Sequence, residues 1–245
     1  MAKRAIRRLA IWLCVTGLLL PHGRVLAAEA IAARGGTITG IVKLDGAIPN
    51  LRPPEIIKSA NVCESVPNET LVVGPDKGIR YAVITLEGVP AEDAGGKEAP
   101  HELDNVGCRF VPHVQAMEIN QSLVLKNTDH ILHSDHAIFH GDQPQFNVGL
   151  YGGKVVRKPM VNAGVVKIEC DVHPWMSAYV IVTENPYYAV SDEHGEYKIS
   201  GVPAGKYHLK IWHERLGTQE KDVVVTDHGT AKVNFAYAGV KEVRR

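Results

Sequence analysis

The sequence has no Gly-x-Ser-x-Gly element, no Walker loop and no His-Glu-x-x-His element, so the common hydrolase, nucleotide and zinc-peptidase signatures are missing. It also lacks His-x-His pairs and a His-Cys-His element; the neighbours of Cys170 are Glu169 and Asp171. No segment after residue 30 keeps a helical period. Charge of one sign is missing as well, since 27 basic side chains balance 27 acidic ones. A chain without a basic excess has no electrostatic footprint for nucleic acid. One apolar run exists, Leu9 to Leu20, and its twelve residues are short for a membrane span of about twenty.

That run follows a basic stretch (Lys3, Arg4, Arg7, Arg8) and precedes Ala27-Ala28-Glu29-Ala30. This is the order of a secretory signal peptide over residues 1–30, cut at Ala28-x-Ala30; an uncleaved anchor is the alternative. Removal takes five basic residues and one acidic residue and leaves 22 basic against 26 acidic side chains. The expected location is the periplasm. About 215 residues remain, enough for one large or two ordinary domains.

Cys14 leaves with the leader, so the exported chain keeps Cys63, Cys108 and Cys170. In an oxidising compartment two thiols pair and one stays odd. Cys170 stands in a ligand context, Cys170-Asp-Val-His173-Pro-Trp-Met176. A Cys63–Cys108 disulfide is therefore expected, with two free buried thiols as the alternative, because a bridge needs Cβ atoms close in space. Thiolate, imidazole and thioether at three-residue steps suit a trigonal His2Cys site with a weak axial Met, the electron-transfer type of copper site. Zinc also takes Cys and His, but Met is a poor donor to it. A second His has to come from elsewhere.

Short β-branched runs between Gly, Pro, Asn and Asp predict strands over Thr37–Leu44, Tyr81–Leu86, Val114–Ile119, Ser122–Lys126, Val165–Glu169, Ala178–Thr183, Tyr197–Ile199, Tyr207–Trp212, Lys221–Val225 and Ala231–Phe235. Phe110-x-Pro112 opens another. The fold class is all-β, sandwich or barrel. Ile56–Ala60 is expected as a brief helix, and Ala91–Pro100 as a surface loop.

Two resemblances carry the reading further. The turns Asp192-Glu-His-Gly195-Glu-Tyr197 and Pro203-Ala-Gly205-Lys-Tyr207 resemble the carboxypeptidase regulatory-like, transthyretin-like domain. That resemblance implies a sandwich of residues 36–92 and 186–240, with a second domain, 100–185, inserted between its halves; two serial domains are the alternative. The inserted part resembles the cupredoxins, with a ligand loop similar to that of amicyanin. In plastocyanin-like members the first ligand His follows an Asn by six positions, and His133 stands so after Asn127. The resemblance thus implies a Greek-key sandwich holding one type 1 copper on His133, Cys170, His173 and Met176. The whole chain also looks like periplasmic methylamine-utilisation proteins.

The same resemblance implies a one-electron carrier rather than an enzyme. Electrons would pass through a partly exposed His173 edge. Pro174 and Trp175 would form an apolar docking patch for a redox protein such as a c-type cytochrome or a periplasmic dehydrogenase. Pro174 has no N–H, so hydrogen bonds to the Cys170 sulfur must come from other groups. Where cupredoxins carry an Asn after the first His, this chain has Ser134, whose hydroxyl can donate too. His136 and His113 are candidates for an additional metal; His130 and His140 read as solvated loop residues. Copper storage or delivery is a second functional expectation, and carbohydrate contact or adhesion through the transthyretin-like half is a third.

Overall fold

A computed structural model describes residues 35–89 and 101–239. The expected leader and the expected loop Ala91–Pro100 lie outside these residues. What is described is all-β, apart from one three-residue 3-10 turn at Pro75–Lys77.

Four sheets form two face-to-face pairs. The first sheet runs β13 (Glu196–Val202), β1 (Gly36–Asp45), β16 (Thr230–Lys232), with β17 (Phe235–Ala238) also on β1. Its partner sheet runs β12 (Tyr188–Val190), β2 (Val83–Glu87), β14 (Gly205–His213), β15 (Gly217–Val225). Alternation explains the facing: in β1 residues Ile38, Val42 and Leu44 are buried while Lys43 and Asp45 are exposed. These side chains meet Ile84, Leu86, Leu209, Ile211 and Phe235 in one core. Residues from both ends of the chain therefore share a core.

The other pair holds everything between. One sheet runs β5 (Val114–Glu118), β11 (Ser177–Thr183), β10 (Gly164–Glu169), β7 (His133–Phe139), β8 (Gln143–Leu150). The facing sheet runs β4 (Phe110–Val111), β3 (His101–Asn105), β6 (Ser122–Asn127), β9 (Val155–Pro159). Its core contains Leu103, Phe110, Met117, Leu125, Ile168 and Val180, and also Cys63, Cys108, Cys170 and Met176. A small third cluster (Val83, Val114, Ala116, Ile181), with Tyr81, Tyr179 and Trp212 against it, joins β2 to β5 and β11.

Both turn motifs have local explanations. Asp192 Oδ1 accepts from the His194 and Glu196 amides, and Gly195 at φ +76 closes that turn in the left-handed region. Tyr207 folds back so that its hydroxyl donates to Pro203 O at 3.0 Å.

The expected helix at Ile56–Ala60 is absent; residues 51–58 are irregular and 59–62 form turns. One helical turn repays little of its nucleation cost. Here Pro53 and Pro54 precede the segment, Ser59 sits at φ 52, and Cys63 is bonded to Cys108. The run Ala231–Phe235 forms two short strands rather than one. Between them Asn234 Oδ1 accepts from the Ile41 amide, and the Val233 amide donates to Thr39 O.

Candidate metal centre

Strand pairing assembles the centre. β10 pairs antiparallel with β7 so that Glu169 faces His136. Continuing that register past the end of β10 carries Cys170 and Asp171 beside Asp135 and Ser134, next to His133, the first residue of β7. The chain then turns tightly: the Met176 amide donates to His173 O at 3.0 Å, and the Cys170 amide to Met176 O at 3.4 Å. Cys170 and His173, three residues apart, thereby face one point.

His133 Nδ1 and His173 Nδ1 lie 3.0 Å apart. The Cys170 sulfur is 4.0 Å from the first and 3.8 Å from the second. All three residues are buried, both imidazoles completely. The Met176 side chain is buried in the same core. Cys63 and Cys108 form a disulfide, and Cys170 is the free cysteine among the described residues.

Each imidazole has its outer nitrogen occupied. His133 Nε2 is 3.0 Å from Asp129 Oδ2, a carboxylate that accepts, so Nε2 carries the proton and Nδ1 keeps a lone pair. His173 Nε2 is 3.1 Å from Ser59 Oγ. Burial pushes the pKa of both imidazoles below the ordinary value; Asp129 partly offsets this at His133, and His133 and Lys58 add to it at His173. Metal-free, the His133 Nδ1 lone pair accepts from a protonated His173 Nδ1 across 3.0 Å; with His173 in the other tautomer, two lone pairs converge on a point that a cation can occupy. Metal bonds of about 2.0 Å to nitrogen and about 2.3 Å to sulfur, opened to a trigonal arrangement, place N···N at about 3.5 Å and N···S at about 3.8 Å. The observed spacings lie within about half an ångström of that, so the donor set fits one ion.

The sulfur receives three contacts. Ser134 N and His173 N approach it at 3.4 Å each, and Ser134 Oγ at 3.9 Å. Ser134 Oγ also accepts from the Asp171 amide at 2.7 Å, so this hydroxyl ties the two ligand segments together. Beneath the site Asp135 is buried, bonded to Asn105 Nδ2 at 3.0 Å, and burial raises its pKa to about 7.

The other predicted residues are placed elsewhere. His136 bonds Asp171 Oδ1 at 3.0 Å, half-exposed on the outer face. His113 is buried, with Nδ1 3.0 Å from Ser177 O and Nε2 against Glu214 of the other sandwich. Neither belongs to the His133–Cys170–His173 group. His130 and His140 are exposed. Pro174 is exposed and Trp175 half-buried, its indole N–H donating to Cys108 O at 3.2 Å.

One implied feature fails. His173 has no exposed edge, because the segment carrying Ser59 lies over it. Sequence reasoning missed Ser59 and Asp129. Asp129 could have been found, since it precedes His133 by four residues in the same ligand run. Ser59 is 114 residues from His173 and carries no local signal.

Residues 163–238 match the model of the carboxypeptidase regulatory-like domain. The match begins one residue before β10, takes in β10 and β11, and does not reach β1 or β2. No curated protein matches the chain. Among solved structures, a copper-containing nitrite reductase from Thermus scotoductus is 22% identical over 39% of this chain, TM-score 0.33, and the chain spans only 26% of that enzyme. A purple cupredoxin from Nitrosopumilus maritimus is 21% identical over 34% of this chain and 99% of its own, TM-score 0.31. A reduced amicyanin variant is 14% identical over 41% of this chain and 98% of its own, TM-score 0.32. The chain is thus similar to the carboxypeptidase regulatory-like domain over residues 163–238, and to cupredoxin structures over about two fifths of its length.

Proposed function

We propose that this protein is an exported, periplasmic one-electron carrier with a single type 1 copper held by His133, Cys170, His173 and Met176, and that it is not an enzyme. The observation that carries the reading is the pair of buried Nδ1 atoms 3.0 Å apart with the Cys170 sulfur 3.8 and 4.0 Å away. Bound copper would supply a reversible one-electron couple, for which thiolate and imidazole donors with a weak thioether suit both oxidation states.

The chain's own residues do the remaining work. Asp129 fixes the His133 tautomer and ring direction. Ser134 N and His173 N donate toward the sulfur and hold it in place. Burial of the ligands excludes water, and the Ser134–Asp171 bond holds the two ligand segments at one spacing. A donor frame that keeps its shape on electron gain and loss suits a carrier. The partner in this reading is a redox protein such as a c-type cytochrome or a dehydrogenase. We also propose that the flanking sandwich, residues 36–92 with 186–240, is a separate module into which the metal-holding part is inserted.

Voltammetry of the copper-loaded protein tests the proposal. One reversible one-electron wave at one copper per chain is expected, and Met176→Leu should raise the potential with copper retained. More than one copper per chain with no reversible wave would favour storage or delivery instead.

A further inference from the structure

All three donors in the candidate site are at most 3% exposed, yet the element covering them is no part of either sheet. Residues 55–62 cross the site as irregular chain and turns, and most are exposed, Ile57 at 60% and Val62 at 44%. Four bonds hold this strap. Ser59 Oγ meets His173 Nε2 at 3.1 Å. Ser59 O accepts from the Val62 and Cys63 amides at 2.8 Å each, so Ser59 and Cys63 move as one turn. Cys63 is then tied to Cys108.

Cys108 is a junction in its own right. Its amide donates to Asp129 Oδ2 at 2.9 Å, the oxygen that also meets His133 Nε2. Its carbonyl accepts from the Trp175 indole, whose ring lies 5.1 Å from that of His173. The Cys108 sulfur is within 4.8 Å of a His133 ring nitrogen. Ser59 and Cys108, the two anchors, also hold left-handed backbone at φ 52 and φ 58. Non-glycine residues keep that conformation where the surroundings impose it, and such places gather at ligand clamps.

Resting on the metal reading above, we infer that Ser59 is a positioning residue for His173, and that the strap it sits on is a disulfide-locked seal controlling metal exchange. In this role Ser59 Oγ accepts from His173 Nε2–H, the tautomer that leaves the Nδ1 lone pair facing Cys170. Asp129 does the same for His133, and the Cys63–Cys108 bridge couples the two supports. An ion enters or leaves only when the strap lifts from His173, and the bridge opposes that lift. Outer hydrogen-bond partners of metal-bound imidazoles are typically worth 10–100-fold in metal affinity.

The test compares wild type, Ser59→Ala, Ser59→Thr and the double variant Cys63→Ala/Cys108→Ala. Two rates are read: modification of Cys170 by an aromatic disulfide reagent in metal-free protein, and transfer of copper from loaded protein to a Cu(I) chelator. Ser59→Ala should speed copper transfer 10–100-fold, Ser59→Thr should restore the wild-type rate, and the double variant should expose Cys170 to the reagent at least tenfold faster. Should the double variant fail to fold, the Ser59 pair, which leaves the bridge intact, still decides. Equal rates in wild type and Ser59→Ala would overturn the inference. A wild-type protein that takes up no copper would overturn the metal reading instead, while the Cys170 modification rates would still judge the seal.

Discussion

Removing the bridge, as Cys63→Ala/Cys108→Ala, should cost the protein about 4 kcal/mol. The two cysteines are 45 residues apart in sequence. Chain-entropy loss for a loop of that length gives about 13 cal/mol/K, or about 4 kcal/mol at 25 °C. Alanine is the right replacement, because both sites are at most 1% exposed and a serine hydroxyl there would be buried without an assured partner. For a chain of this size each kcal/mol moves the unfolding midpoint by about 2–4 °C, so a fall of about 8–16 °C is expected. The loss should fall on the core that contains Cys63, Cys108 and Cys170, rather than on the core around Ile38 and Phe235. Thermal unfolding of metal-free protein, followed by circular dichroism, measures it. A midpoint within 2 °C of wild type would refute the reasoning, since the bridge would then constrain nothing in the unfolded chain.

Asp129→Asn keeps a hydrogen-bond acceptor near His133 but removes the charge and allows the amide to turn a donor toward Nε2; copper affinity should fall 10–100-fold, read by competition with a chelator. His213 is 1% exposed, and burial lowers its pKa to about 4. The unfolded chain, with its histidine near 6.5, therefore binds the proton first, so stability is complete above pH 6.5 and declines as pH falls toward 4, by about 3 kcal/mol. Urea midpoints at pH 7 and pH 4.5 should differ in wild type, and the difference should shrink in His213→Leu; an undiminished difference would assign the effect elsewhere.

The apolar strands were legible because their pattern is simple. β1, β10, β11 and β14 alternate apolar with polar residues or run continuously in apolar ones, and each lies where that pattern puts it. β3, β8 and β9 were not. His101–Asn105 has one leucine, Gln143–Leu150 contains Pro144 and a register shift, and Val155–Pro159 is a sheet edge with three of five residues exposed. Such segments pair because neighbours offer hydrogen bonds, which sequence does not reveal. The grouping of His133, Cys170 and His173 was legible for the opposite reason: two of them stand three residues apart beside a Met, and the chemistry of Cys, His and Met together is narrow. The strap was illegible although the Cys63–Cys108 bridge was expected, because its place over the site depends on one long-range serine contact.

The visible absorption spectrum after addition of Cu(II) tests the central claim most directly. A single buried ion bonded to the Cys170 sulfur and two imidazoles should give an intense blue colour that saturates at one copper per chain and disappears in Cys170→Ser. A colourless adduct, or a spectrum unchanged in Cys170→Ser, would contradict it.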